Sequence, residues 1–298
     1  MDKKKVIVQN YLVIPLLVIF SSCNNMKIEK QPYKPTNVSD NGYEYLVPSS
    51  IFSPEDIPEE LKDTVVVFLQ GGPRNKISKS SLLTLGVEDA FSNYSVVGLK
   101  QSQVVNQSVF GATTNLTPQQ AKAEIDSTTR IIDESIEALQ KDQHFVILLG
   151  HSYGGFLGQY HLINGQERAE KYVLAGIRII FPEQAREAYE SGRDFKYKNG
   201  KLEYVEPEEG FGSMEVYHVA KLLQLSVTLD YRKYYTKQIL QRSMFLMGEN
   251  DQAVGPPSEE EINYLRKNDA QYISVKEGDH SSMMEHQYFK EILDFIRE

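Results

Sequence analysis

HFVILLGHSYGGFLGQYHLI, residues 144–163, decides how this chain is read. The apolar run from His144 to Leu149 has the length and character of a buried strand, and residues from Tyr153 to Ile163 continue as a helix. Between them, GHSYGG places Ser152 at the centre of a G-x-S-x-G pattern, with Gly150 and Gly154 on either side. The pattern alone is weak, since composition produces it by chance in roughly one chain in ten of this length. Its setting gives it meaning. A strand that stops at Gly150 and a helix that starts at Tyr153 force a sharp turn at the serine. Such a turn lifts the hydroxyl above the sheet edge and aims the free N–H groups of the new helix at the same point. The alternative is a glycine-rich turn with a bystander serine.

Working outward, short apolar runs alternate with helical stretches. TVVVFL (Thr64 to Leu69), YSVVGL (Tyr94 to Leu99), KYVLAGI (Lys171 to Ile177), SMFLMG (Ser243 to Gly248) and QYISV (Gln271 to Val275) read as further strands. Their near-continuous β-branched and apolar character is that of parallel strands covered on both faces. Thr117, Pro118 and Gln120 form a capping box with proline at the first helical position. Ile125, Ile132, Ile136 and Leu139 then recur at helical spacing to about Lys141. Ser258 and Glu261 cap a later helix, and a last helix runs to the C-terminus. The alternation predicts an α/β fold, a mostly parallel sheet with helices on both faces. It breaks between Phe181 and Gln241. There, DFKYKNGKLEYV (Asp194 to Val205) predicts a hairpin turning at Asn199-Gly200, followed by a helical, tyrosine-rich stretch. The core is expected over residues 41–180 and 242–298, with an insertion over 181–241.

With GHSYGG in this setting, the chain resembles the α/β-hydrolase superfamily from about Gly42 to Glu298, the insertion excepted. QGGPR (Gln70 to Arg74), directly after the strand Thr64 to Leu69, is similar to the H-G-G-P-G loop of the proline-iminopeptidase group. Gln70 stands where that group has histidine, and Arg74 where it has the last glycine. LKQSQVVNQS (Leu99 to Ser108) falls at the group's acidic D-Q-R-G-x-G-x-S stretch, and only Gln101 matches cleanly. The resemblance implies an oxyanion hole from the backbone N–H groups of Gly72 and Tyr153. Gly71-Gly72-Pro73 also reads as a plain loop.

A serine nucleophile needs a base, and the base needs an orienting carboxylate. The family order is serine, acid, histidine. His280, in the loop after the last strand, is the expected base; His286 is the rival and falls at the C-terminal helix. Asp251, three residues past Gly248, is the expected acid, and Glu249 is its rival. Asp279 reads as a solvated loop residue or as a charge that tunes His280. The insertion is expected to act as a lid. In the resembled group, lid carboxylates hold a substrate amine; Glu203, Glu206, Glu208 and Glu209 are the acidic residues available here, and none is singled out. Three functions follow as expectations. The first is a Ser-His-Asp hydrolase cleaving a peptide amide through an acyl-enzyme. The second is an esterase or lactonase with the same triad. The third is a ligand-binding protein on this scaffold without catalysis, for which an eroded triad would be the mark.

Charge and cysteine content narrow the partners. The formal net charge is -9, and no basic stripe with interleaved aromatics is present, which excludes nucleic-acid binding by backbone attraction. No His/Cys/Asp/Glu cluster has metal-ligand spacing and no G-x-G-x-x-G follows a strand, so neither metal nor cofactor is expected. Lys3, Lys4 and Lys5 precede the apolar stretch YLVIPLLVIF (Tyr11 to Phe20), then Ser21, Ser22 and Cys23, the only cysteine. The stretch is too short to span a bilayer, which takes roughly 20 apolar residues, and it resembles a bacterial lipoprotein signal over residues 1–22. The alternative is an ordinary secretory signal. Lipidation at Cys23, a polar tether over 23–40 and a location in the bacterial cell envelope, anchored to the membrane, are the expectations. Labelled palmitate fed to expressing cells should therefore enter the wild type and be absent from Cys23→Ala. Equal fractionation of both proteins without label would leave a secreted form instead.

Overall fold

A computed structural model of the protein describes residues 33–48, 61–77, 87–111, 116–191, 193–206, 214–282 and 286–298. The expected N-terminal signal, Cys23, Glu208 and Glu209 lie outside these residues. The strands are β1 (Leu46–Pro48), β2 (Thr64–Leu69), β3 (Ser95–Leu99), β4 (Phe145–His151), β5 (Lys171–Ala175), β6 (Asp194–Lys198), β7 (Lys201–Val205), β8 (Ser243–Gly248) and β9 (Gln271–Val275). Seven of them form one sheet in the order β1-β3-β2-β4-β5-β8-β9. All neighbours are parallel except β1, which runs antiparallel to β3. This is the mostly parallel α/β sheet that the strand–helix alternation predicts, in keeping with the α/β-hydrolase fold that the resemblance implies.

The uninterrupted apolar strands follow from burial on both sides. Val65, Val67 and Leu69 of β2 face one core with Leu148 and Leu174, while Val66 and Phe68 face a second with Ile147 and Val173. Helix α1 (Pro118–Lys141) closes the first core with Ile125, Ile132, Ile136 and Leu139, all fully buried. Its start is fixed by the predicted capping box: Gln120 N donates to Thr117 Oγ1 at 3.2 Å, and Thr117 N to Gln120 Oε1 at 2.8 Å. Helix α2 (Tyr153–Asn164) lies on the same side and is buried all round from Tyr153 to Leu162. Between β5 and β8 the chain leaves the sheet. It forms α3 (Glu183–Glu190), the hairpin β6–β7 and α4 (Met214–Ser226), and α4 packs on α1. Asn199 and Gly200 both adopt positive φ, as the two-residue hairpin turn requires. Helix α5 (Glu259–Lys267) starts at the Ser258–Glu261 capping box, and α6 (Phe289–Arg297) covers the second core with Ile292, Phe295 and Ile296.

Two features differ from the sequence-based reading. Strand β1 is not anticipated, because three residues ending in proline carry no alternation; proline is tolerated there because β1 is an edge strand. The expected tether is docked from Tyr33 onward. Thr36 N and Thr36 Oγ1 donate to the two oxygens of Glu124 at 3.0 and 2.5 Å, and Tyr33 OH donates to Glu124 Oε1 at 2.7 Å. Glu124 is fully buried on α1, and a buried carboxylate without donors is costly, so the N-terminal segment supplies them. Thr36→Val removes the hydroxyl donor from a buried anion. It should lower stability by about 1–3 kcal/mol, measured as the urea midpoint against wild type.

Candidate active site

The turn between β4 and α2 lies at the carboxyl end of the central strands, where open α/β sheets carry their sites. Register puts Gly150 beside Leu69 and His151 beside Ala175. Ser152 takes φ 55°, ψ -125°, a conformation costing a non-glycine residue on the order of 1–3 kcal/mol. The neighbours hold it there: Ser152 N donates to Ala175 O at 2.9 Å, and Phe156 N donates to Ser152 O at 3.0 Å. The turn closes only because Gly154 has no side chain. A Cβ at that position would stand 2.0 Å from Leu69 O. The N–H of Tyr153 belongs to the first turn of α2, where backbone donors have no acceptor within the helix.

His280 and Asp251 meet. His280 Nδ1 lies 2.7 Å from Asp251 Oδ2. Asp251 is 1% exposed, and its other oxygen accepts Ala253 N at 2.8 Å and Val254 N at 3.0 Å. Burial alone would lift the Asp251 carboxyl. The charge and hydrogen bond of His280, with the two backbone donors, hold it below the ordinary value. For His280, burial opposes protonation. The charge and hydrogen bond of Asp251 outweigh it, with Asp279 adding, and raise the imidazole above its usual value. Because Nδ1 is occupied by Asp251, Nε2 is the nitrogen left for a substrate or serine proton. Glu249 is exposed and accepts Ser274 Oγ at 3.1 Å, away from His280. His286 opens the 3₁₀ turn His286–Tyr288 ahead of α6. Asp279 caps its own loop by accepting Ser281 N and Ser282 N at 2.8 and 3.0 Å, and its charge also acts on His280.

Sequence reasoning passed over His151. Its Nε2 lies 2.7 Å from the carbonyl oxygen of His280, and the two rings pack 4.9 Å apart. A carbonyl only accepts, so His151 carries its proton on Nε2. Burial first, then the neighbouring His280, push its pKa down to about 3, so it stays neutral through the working range. His151 thus ties the serine turn to the histidine loop. Gly176 leaves space for both rings: a Cβ there would be 3.1 Å from His151 Nε2 and 3.2 Å from His280 Cε1. Nothing in the sequence marks this contact, which joins residues 129 apart.

The loop after β2 approaches the serine. A Cβ on Gly71 would lie 3.1 Å from Ser152 Cβ, and Gly72 takes φ +62°. Gln70 is buried and ties the loop internally by donating Nε2 to Lys76 O at 2.8 Å. Its carbonyl accepts Gln101 Nε2 at 3.0 Å, and Gln103 Nε2 donates in turn to Gln101 Oε1 at 2.5 Å. The backbone carbonyl at the head of this relay fixes the orientation of both amides. Gln101, which matches the resembled group's pattern, therefore anchors the loop bearing Gly72.

Among solved structures the chain is similar to a lipase in its open form, with 14% identity and a TM-score of 0.51, covering 81% of this chain and 92% of that one. It is also similar to MenH from S. aureus (15%, TM-score 0.49, 81% and 96%). A 2-hydroxy-6-oxo-6-phenylhexa-2,4-dienoate hydrolase from Rhodococcus sp. strain RHA1 matches at 16% and a TM-score of 0.48, over 85% and 98%. No protein-family model matches the chain. No curated protein matches it in sequence. The lipase likeness and the strand order together establish the α/β-hydrolase fold.

The electrostatics of the pair predict a pH dependence. Any reaction that needs neutral His280 should gain rate as pH rises through a value above that of a free histidine. Asp251→Asn removes the charge that favours the imidazolium and leaves burial, which disfavours it. The acid limb of kcat/KM should then move to lower pH while the plateau falls by several powers of ten. A limb that stays in place in Asp251→Asn would separate Asp251 from the titration of His280.

Proposed function

We propose that this protein is a serine hydrolase acting on small acyl esters through a Ser152–His280–Asp251 triad. The observation that carries the reading is the 2.7 Å contact of His280 with buried Asp251, set beside a serine on a positive-φ strand-to-helix turn. Ser152 Oγ attacks the substrate carbonyl while His280 Nε2 takes its proton, and Asp251 stabilises the imidazolium that forms. The carbonyl oxygen gains negative charge and is received by the N–H groups of Gly72 and Tyr153. Collapse expels the alcohol, protonated by His280, and leaves an acyl-enzyme. Water, deprotonated by the same histidine, then releases the acid and restores Ser152.

Ester chemistry is favoured over an amine-bearing peptide by what surrounds the site. Capture of a free amine needs a carboxylate facing the pocket. Among the described residues, the lid candidates Glu203 and Glu206 are exposed on and just after β7, and Asp251 is committed to His280. The hairpin β6–β7 reaches the acid loop instead through a tyrosine: Tyr197 N donates to Gln252 O at 2.9 Å, and its ring leaves no room for a side chain on Gly255. In this reading residues 181–241 form the lid, with the hairpin resting on the loop that holds the catalytic acid. A lipid on Cys23 would keep the enzyme at the bacterial cell envelope.

Turnover of p-nitrophenyl butyrate by the purified protein, and its loss by several powers of ten in Ser152→Ala, test the proposal. Circular dichroism of the variant must match wild type. Undiminished turnover in folded Ser152→Ala would end it.

A further inference from the structure

Arg74 stands where the resembled loop has glycine, and nothing in the triad chemistry uses it. Its side chain folds back over the loop. A Cβ built on Gly72 would lie 3.7 Å from Arg74 Nε and 3.8 Å from its Cγ. Gly72 is the residue whose N–H is assigned to the developing oxyanion, and the adjoining Gly71 packs against Ser152 and His151. The side chain of Arg74 therefore lies beside Gly72, one residue from the glycine that packs on the serine turn. Its charge reaches His151, where it opposes protonation.

The arginines best enclosed by carboxylates are paired. Arg178 is locked to Glu261, and Arg232 to Asp230 and Glu260. Arg74 is half-buried and has no ion pair or side-chain hydrogen bond among the described residues. The chain carries 41 acidic against 32 basic residues, so carboxylates are in excess. A half-buried arginine without a carboxylate partner among the described residues, on the loop that packs against the serine turn, can offer its donors to an incoming acceptor.

We propose that Arg74 is a specificity-determining residue that binds a carboxylate carried by the substrate close to its scissile carbonyl. This rests on the serine hydrolase reading and names the substrate class within it: acyl esters bearing a negative charge on the acyl chain. Guanidinium and carboxylate pair through two parallel hydrogen bonds, so the contact orients the acyl chain as well as attracting it. The same charge repels an ammonium group, which agrees with the lack of a pocket-facing carboxylate among the described lid residues.

The test compares p-nitrophenyl hemiglutarate with p-nitrophenyl pentanoate, which differ by a terminal carboxylate in place of a methyl group. Wild type should favour the hemiglutarate in kcat/KM by about tenfold at low ionic strength, and the preference should shrink as salt is added. Arg74→Gln should cut the hemiglutarate-to-pentanoate ratio by about tenfold or more, mainly through KM. Arg74→Lys keeps the charge without the planar fork and should retain part of the preference. Equal ratios in wild type and Arg74→Gln, or a matched fall on both esters as expected for a general oxyanion stabiliser, would overturn the assignment. Turnover that survives Ser152→Ala would instead count against the serine reading and leave the comparison of ratios to judge Arg74 separately.

Discussion

The backbone of Ser152, at φ 55° and ψ -125°, is the constraint on which the site depends. A residue held there is strained, and it persists only because rigid elements on both sides leave it no other path. β4 is clamped between β2 and β5, and Ser152 N is fixed to the end of β5 through Ala175 O. α2 begins at once and packs its first turn against the end of β2. That approach is close enough to forbid any side chain at Gly154. The all-round burial of α2 is thus a consequence of the turn: a helix launched from the middle of the sheet lies inside the molecule.

The other polar groups come to this turn from loops far apart in sequence, and each is fixed by its own contacts. Asp251 is held by two backbone donors before it reaches His280. His280 is held twice, at its ring by Asp251 and at its carbonyl by His151. The glycine loop after β2 is steadied by the Gln70–Gln101–Gln103 relay. The buried pair Arg178–Glu261 works at one remove. Glu261 accepts the N–H groups of Ile179 and Ile180 and caps α5, which joins the end of β5 to the segment behind the acid loop. Preorganisation of this kind lets donors act on developing charge without rearranging at the moment of reaction.

What the sequence makes legible is what local chemistry determines. Buried parallel strands announce themselves as apolar runs, and the two capping boxes at Thr117 and Ser258 mark helix starts to the residue. Asp251 is preferred to Glu249 through the resemblance, as the shorter carboxylate three residues past Gly248, and it is Asp251 that lies buried against His280. The unread features depend on distant partners. Glu124 looks like a polar residue on the outer face of an amphipathic helix. Only the docked segment at Tyr33 and Thr36 explains its burial. β1 is too short to show a period. His151 occupies a position where any residue satisfies G-x-S-x-G, so its bond to the His280 carbonyl has no local signature. Arg74 is visible in the sequence only as a departure from a glycine, and its meaning comes from the structure that folds it over Gly72.

The most direct measurement is a crystal structure of the protein after reaction with a fluorophosphonate. A Ser152–His280–Asp251 triad requires a covalent bond from phosphorus to Ser152 Oγ and a phosphoryl oxygen within hydrogen-bond reach of the N–H groups of Gly72 and Tyr153. His280 must face the adduct through Nε2 while Nδ1 keeps its bond to Asp251. Phosphorus on any other side chain, or an unmodified Ser152 after prolonged exposure, would contradict it.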